Sequence, residues 1–124
     1  MRIDFDLAAV MAERLSEPRP DPGAWPGLHE ALTTLAEGRA GLIRHSERRW
    51  ASITFAGSRH TVALAFAGDE AAEAGERFIT ALPDHEFAIP GHLVADAAVV
   101  AVEHTMLPEP RIAVEVELLL LEDA

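Results

Sequence analysis

The sequence predicts an α+β fold: a mostly antiparallel four-stranded sheet made of two hairpins in ββαββ order, with N-terminal helices packing on the sheet. Three observations carry this. Residues 50–67 alternate along the chain about a Gly57-Ser58 turn signal. Residues 93–104 and 111–123 alternate again on either side of a Pro-containing connection. Between the two pairs, residues 69–82 space their apolar side chains at a helical period.

Taken in order, residues 1–6 form a short strand or the lead-in to a helix over about 6–16. Leu7, Val10, Met11 and Leu15 make its apolar stripe, and Asp4 or Asp6 caps it. Residues 16–27 contain Pro18, Pro20, Pro22 and Pro26, which predicts an extended connector that Trp25 pins to the core. Leu28, Leu32 and Leu35 predict a second helix that stops at Gly38. The basic, polar run Arg44-His45-Ser46-Glu47-Arg48-Arg49 either continues that helix or turns.

From Trp50 the pattern is β. Ala51, Ile53 and Phe55 alternate with Trp50, Ser52 and Thr54; after the turn, Val62, Leu64 and Phe66 share one face and Ala63, Ala65 and Ala67 the other. A strand with no polar face belongs in the middle of a sheet. Asp69 is placed to cap the next helix, with Glu70 and Glu73 in the first turn, where the helix dipole favours acids. Ala71, Ala74 and Gly75 allow close approach, and the alanine face of residues 63–67 is the expected seat. Pro83 ends the helix; Phe87 and Ile89 anchor a loop that turns at Pro90-Gly91.

The last strand, residues 111–123, sets Ile112, Val114, Val116, Leu118 and Leu120 on one face. Its other face runs Ala113, Glu115, Glu117, Leu119, Leu121, from acidic to apolar. Something must cover that apolar end, and Leu119 and Leu121 are the expected docking point for the N-terminal helices or a second subunit. The α-β-β pattern occurs twice, over 28–67 and 69–121, as in a duplication, although no residue-level identity accompanies it.

Composition bounds the rest. A chain of 124 residues fits one domain, and with no cysteine it has neither disulfides nor a thiolate metal site. All ten basic residues are arginine and alanine is abundant, the bias of GC-rich coding, which points to a bacterial source. Met-Arg-Ile-Asp-Phe-Asp lacks the features of a signal peptide, and no run reaches the ~18 apolar residues of a membrane span. A cytoplasmic location and no membrane contact are expected. The net charge is −11 but unevenly spread: residues 1–37 carry −4, residues 38–68 carry +4 and residues 69–124 carry −11. Overall acidity argues against nucleic-acid binding, which needs an excess of cations facing phosphates.

Motifs are few. Neither a Gly-X-Ser-X-Gly elbow, a P-loop nor a dinucleotide fingerprint occurs. His85, His92, Asp96 and His104, with Glu103 nearby, supply the side chains of a divalent-metal or acid–base site, but at no diagnostic spacing. Loop and capping roles are the simpler reading for His85 and His92, and a solvated strand end for Asp96. His60 would face His104 only if their strands were neighbours. Arg44, Arg48, Arg49 and Arg59, with Arg39, suit a small anionic ligand or an acidic partner; pairing with the protein's own carboxylates is the simpler account. The sequence therefore points to a non-enzymatic homo-oligomeric module, a dimer first, or a partner-binding one, with no cofactor. The alternative is a small metal- or histidine-dependent enzyme using the His85, His92, Asp96 and His104 region.

Overall fold

The computed structural model describes residues 23–122. Their elements run α1 (Trp25–Leu35), β1 (Gly41–Ala51), β2 (Ala56–Ala67), α2 (Asp69–Ala81), a 3₁₀ turn (Leu82–Asp84), β3 (His92–Thr105) and β4 (Arg111–Glu122). The four strands form one antiparallel sheet in the order β1-β2-β4-β3. This is the expected α+β fold, and β2 and β4 are its two central strands. The order is unchanged when the two α-β-β halves are exchanged. The first predicted helix, over about 6–16, and most of the connector lie outside the described residues. None of the described helices is long and apolar enough to cross a membrane.

The first hairpin differs from the sequence reading. β1 occupies the arginine-rich stretch for which the sequence predicts helix or turn, and the chain reverses at Ser52–Phe55 instead of Gly57-Ser58. Ser52 N–H donates to the Phe55 carbonyl at 2.6 Å, and the Phe55 amide donates to Ser52 Oγ at 3.1 Å. Ile53 and Phe55, which the alternation assigns to a strand, are exposed at this tip. The misreading has a physical cause: β1 is an edge strand with its outer side in water, so it tolerates charges that a buried strand would not. Gly57 is instead a strand residue whose missing side chain is required. A Cβ there would collide with the Leu120 carbonyl oxygen and lie 2.8 Å from the Trp50 ring.

One face of the sheet is the core. Val62, Leu64 and Phe66 from β2 and Ile112, Val114, Val116, Leu118 and Leu120 from β4 are buried there, all but Leu64 wholly or within 1%. Leu28 and Leu32 of α1 and Phe78 of α2 join them. Fully burying side chains of this size contributes roughly 1.5–3 kcal/mol each. The helix α2 sits on this large apolar face, not on the alanine face that the sequence suggested. Gly75 brings its backbone against Phe66, where an added Cβ would lie 2.9 Å from Cγ, and Phe66 and Phe78 rings meet at 5.6 Å. Seating the helix on Val62, Leu64 and Phe66 removes far more apolar area from water than seating it on alanines would.

The helix α1 begins inside the predicted connector, with Pro26 in its first turn, where a missing N–H costs nothing. It lies on the same face as α2. Arg77 of α2 donates to both carboxylate oxygens of Glu37, just past α1, at 2.8 and 2.9 Å. The described residues thus form two layers, helices over one side of the sheet and no helix over the other.

Candidate functional site

The residues expected to form a metal or acid–base centre are dispersed. The register pairs His92 with Glu122 and His104 with Ile112, so these histidines stand at opposite ends of β3, about 34 Å apart at ~3.4 Å per residue. Metal–nitrogen bonds near 2 Å cannot span that. Asp96 pairs with Leu119 and is exposed on the helix-free face, whereas His92 shares its face with Leu120 and the core. His85 is exposed, its ring edge-on to Phe87 at 4.6 Å, and the His92 Nδ1–H donates to the Pro90 carbonyl at 3.1 Å. The expected grouping of His85, His92, Asp96 and His104 is corrected accordingly: a strand of this length separates its ends. His60 is not beside His104 either, because β4 lies between their strands.

A different cluster is assembled on the core side of β1 and β2. Strand alternation puts His45 and Glu47 on one face, and the register sets Glu47 directly across from His60. His45 Nε2 lies 2.8 Å from His60 Nδ1, and Ser58 Oγ lies 2.9 Å from His60 Nε2. One ligating atom from each of His45, Glu47 and His60 falls within 4.8 Å of the others. Trp25, the first residue of α1, stacks on His45 with ring centres 3.6 Å apart and planes 9° from parallel. His29, one turn further along α1, stands 5.1 Å from the Trp25 ring.

Burial grades across the group. His60 is fully buried and Ser58 nearly so, His45 is half-buried, and Glu47 and His29 are exposed. Both imidazoles are held below the ordinary histidine pKa, chiefly because burial penalises the cation, with the Glu47 carboxylate acting in the opposite sense. Both therefore favour the neutral form more strongly than a free imidazole does. Sequence reading missed this cluster because β1 was not recognised as a strand; without that assignment, the shared face of His45 and Glu47 is invisible.

Arg44, Arg48 and Arg59 line the other side of the sheet, near the protein's own acids. Arg44 and Glu115 stand 3.4 Å apart and Arg59 and Glu117 3.7 Å; at the sheet's margins, Arg49 and Glu122 pair at 2.7 Å and Arg39 and Glu70 at 3.0 Å. All are solvent-accessible, so each stabilises the fold only slightly. Arg48 makes no ion pair among the described residues.

The register arranges the helix-free face in transverse rows. One runs Arg48, Arg59, Leu119, Asp96 from edge to edge, and its neighbour runs Trp50, Gly57, Leu121, Leu93. Leu119 and Leu121 are half-buried in their own sheet, and Leu93 beside them is 61% exposed. The basic side chains concentrate on β1 and β2, the acidic ones on β4 and β3. At the far end of the same face a depression of about 430 Å³ is bordered by Arg44, Ala63, Glu103, Ala113 and Glu115. Its walls mix small and branched apolar side chains with four charged ones, of which Arg44 and Glu115 are paired.

No family model matches the chain, and no curated protein matches it. Among solved structures it is similar to a chain in the virion of a native gene transfer agent (GTA) particle. That likeness has a TM-score of 0.53 at 13% identity and covers 82% of this chain and 92% of the other. The type 4 fimbrial biogenesis protein PilO from Pseudomonas aeruginosa aligns over 92% of this chain and 75% of its own, at 13% identity and a TM-score of 0.39. The first likeness establishes a shared fold; the second is too distant to argue from.

Proposed function

We propose that this protein is a non-enzymatic assembly module that pairs with a second copy of itself through the helix-free face of its sheet. One observation carries the reading: the two transverse rows at the apolar end of that face are self-complementary. A two-fold axis running along the strands, between two sheets packed face to face, sets β1 of one copy over β3 of the other. Arg48 then meets Asp96 of the partner, and Trp50 meets Leu93 of the partner. Leu121 faces the Gly57 of the partner, over which the partner's Trp50 ring lies. Basic strands oppose acidic strands throughout, which favours this orientation over one that stacks β1 on β1.

A chain of this fold is built into a virion particle, so the architecture is compatible with assembly. The Trp50, Leu93, Leu119 and Leu121 patch gives the contact its apolar centre, and the charged rows give it register.

Sedimentation velocity on the untagged protein from about 1 to 100 µM tests the proposal. A dimer whose dissociation constant rises with salt is expected, as is a monomer for the Leu119→Glu/Leu121→Glu variant at unchanged helix and strand content. A wild-type monomer across that range overturns the reading.

A further inference from the structure

We infer that His45, Glu47 and His60 form a binding site for one divalent transition-metal ion of the zinc type. His45 would ligate through Nε2, His60 through Nδ1 and Glu47 through a carboxylate oxygen. The inference is independent of self-association, since these residues lie on the opposite side of the sheet from the proposed interface.

Ligand chemistry and spacing agree. Two imidazoles and one carboxylate are a borderline donor set that suits zinc and its neighbours, and would leave hard ions such as magnesium poorly held. Two nitrogens about 2.0–2.1 Å from a tetrahedral ion are about 3.3 Å apart, so the 2.8 Å contact between His45 Nε2 and His60 Nδ1 must open by only about half an ångström. All the ligating atoms are already within 4.8 Å of one another, and the exposed Glu47 is free to swing inward.

The surroundings are those of a supported site. With Nδ1 given to the metal, the His60 proton resides on Nε2, where it donates to Ser58 Oγ at 2.9 Å. Metal-bound histidines use a partner of this kind to fix tautomer and ring orientation. Trp25 clamps the His45 ring by stacking. With His60 donating from Nε2 to Ser58, the hydrogen between the two rings sits on His45 Nε2, and binding the ion there requires it to move to Nδ1 by tautomerisation. The charge of the set is −1 against +2. Three protein ligands would leave one position of a tetrahedral ion for water.

Isothermal titration of the untagged, chelator-washed protein with Zn²⁺ alone is the test, with the absorption spectrum of the Co²⁺ form as a second readout of nitrogen–oxygen tetrahedral ligation. One ion per chain is expected. His45→Asn should weaken binding by about 100-fold and Glu47→Gln by at least about 10-fold, while Ser58→Ala, which removes only the supporting acceptor, should cost about 10-fold, in the range typical of outer partners. His45 and Glu47 reach the surface, so these two variants should fold even if a substitution of His60 does not; circular dichroism verifies it. His92→Asn and His104→Asn should bind as wild type. Absence of one-to-one binding in the wild type overturns the inference, as does wild-type affinity in folded His45→Asn and Glu47→Gln.

Discussion

His45 and His60 share a hydrogen bond, Nε2 to Nδ1 at 2.8 Å, inside the layer where α1 meets the first hairpin. One ring is half-buried and the other wholly so. Protonating both would place two cations in contact, with Glu47 the nearest compensating charge and His29 and His92 adding repulsion.

This pair should make stability depend on pH in one direction. Both folded-state pKa values lie below the ordinary 6.5, so the unfolded chain binds more protons in the window just beneath 6.5. Stability is therefore fully present above pH 6.5 and is lost as pH falls below it. Urea midpoints at pH 8, 7, 6 and 5 should be level at first and then decline. His45→Phe keeps the stack on Trp25 while removing one titrating group, so its decline should be shallower; an equally steep one would place the effect elsewhere.

The charge row makes a reciprocal test of the dimer. Arg48→Glu should weaken self-association at least about 10-fold, on the scale of 1.4 kcal/mol for a close charge pair turned repulsive. Adding Asp96→Arg to the same chain should restore it, because the swapped residues meet across the two-fold axis. Sedimentation at low salt reads both. Failure of the second substitution to rescue the first would mean that Arg48 and Asp96 do not face each other.

Two glycines should be intolerant for steric reasons. At Gly57 an alanine methyl runs into the Leu120 carbonyl and the Trp50 ring, and at Gly75 it runs into Phe66. Overpacking of this kind costs about 1–3 kcal/mol. Gly57→Ala and Gly75→Ala should each lower the urea midpoint with little change in slope; a neutral result at Gly57 would show that β2 and Trp50 shift readily.

Leu118 of β4 is wholly buried between the sheet and its helices. Leu118→Ala should cost about 2–5 kcal/mol through lost transfer energy and the cavity left behind. Leu119→Ala, one residue on and facing the other way, should cost far less in the fold and act on self-association instead. Comparing thermal melts of the two variants checks the alternation directly.

What the sequence by itself determined is the set of local signals. The strict period of Ile112 to Leu120 defined β4 and its core face, the spacing of Ala71, Ala74 and Phe78 defined α2, and the order of these segments gave the α+β class. Such features are legible because each rests on neighbours within a few residues. Edges and faces were not legible in this way. β1 carries Arg44, His45, Glu47, Arg48 and Arg49 along its middle because its outer side meets water, so it has little hydrophobic period. α2 lies on Phe66 and not on the alanines because total buried area decides the seat, and that sum exists only once all the strands are in place. The same holds for the sites: His85, His92 and His104 are conspicuous along the chain yet held apart by the length of β3. His45, Glu47 and His60 become a cluster only through the register of two strands, and Arg48 and Asp96 become one row only through all four. Cross-strand register is a property of the assembled sheet, fixed by hydrogen bonds between distant segments, and tertiary structure alone decided it.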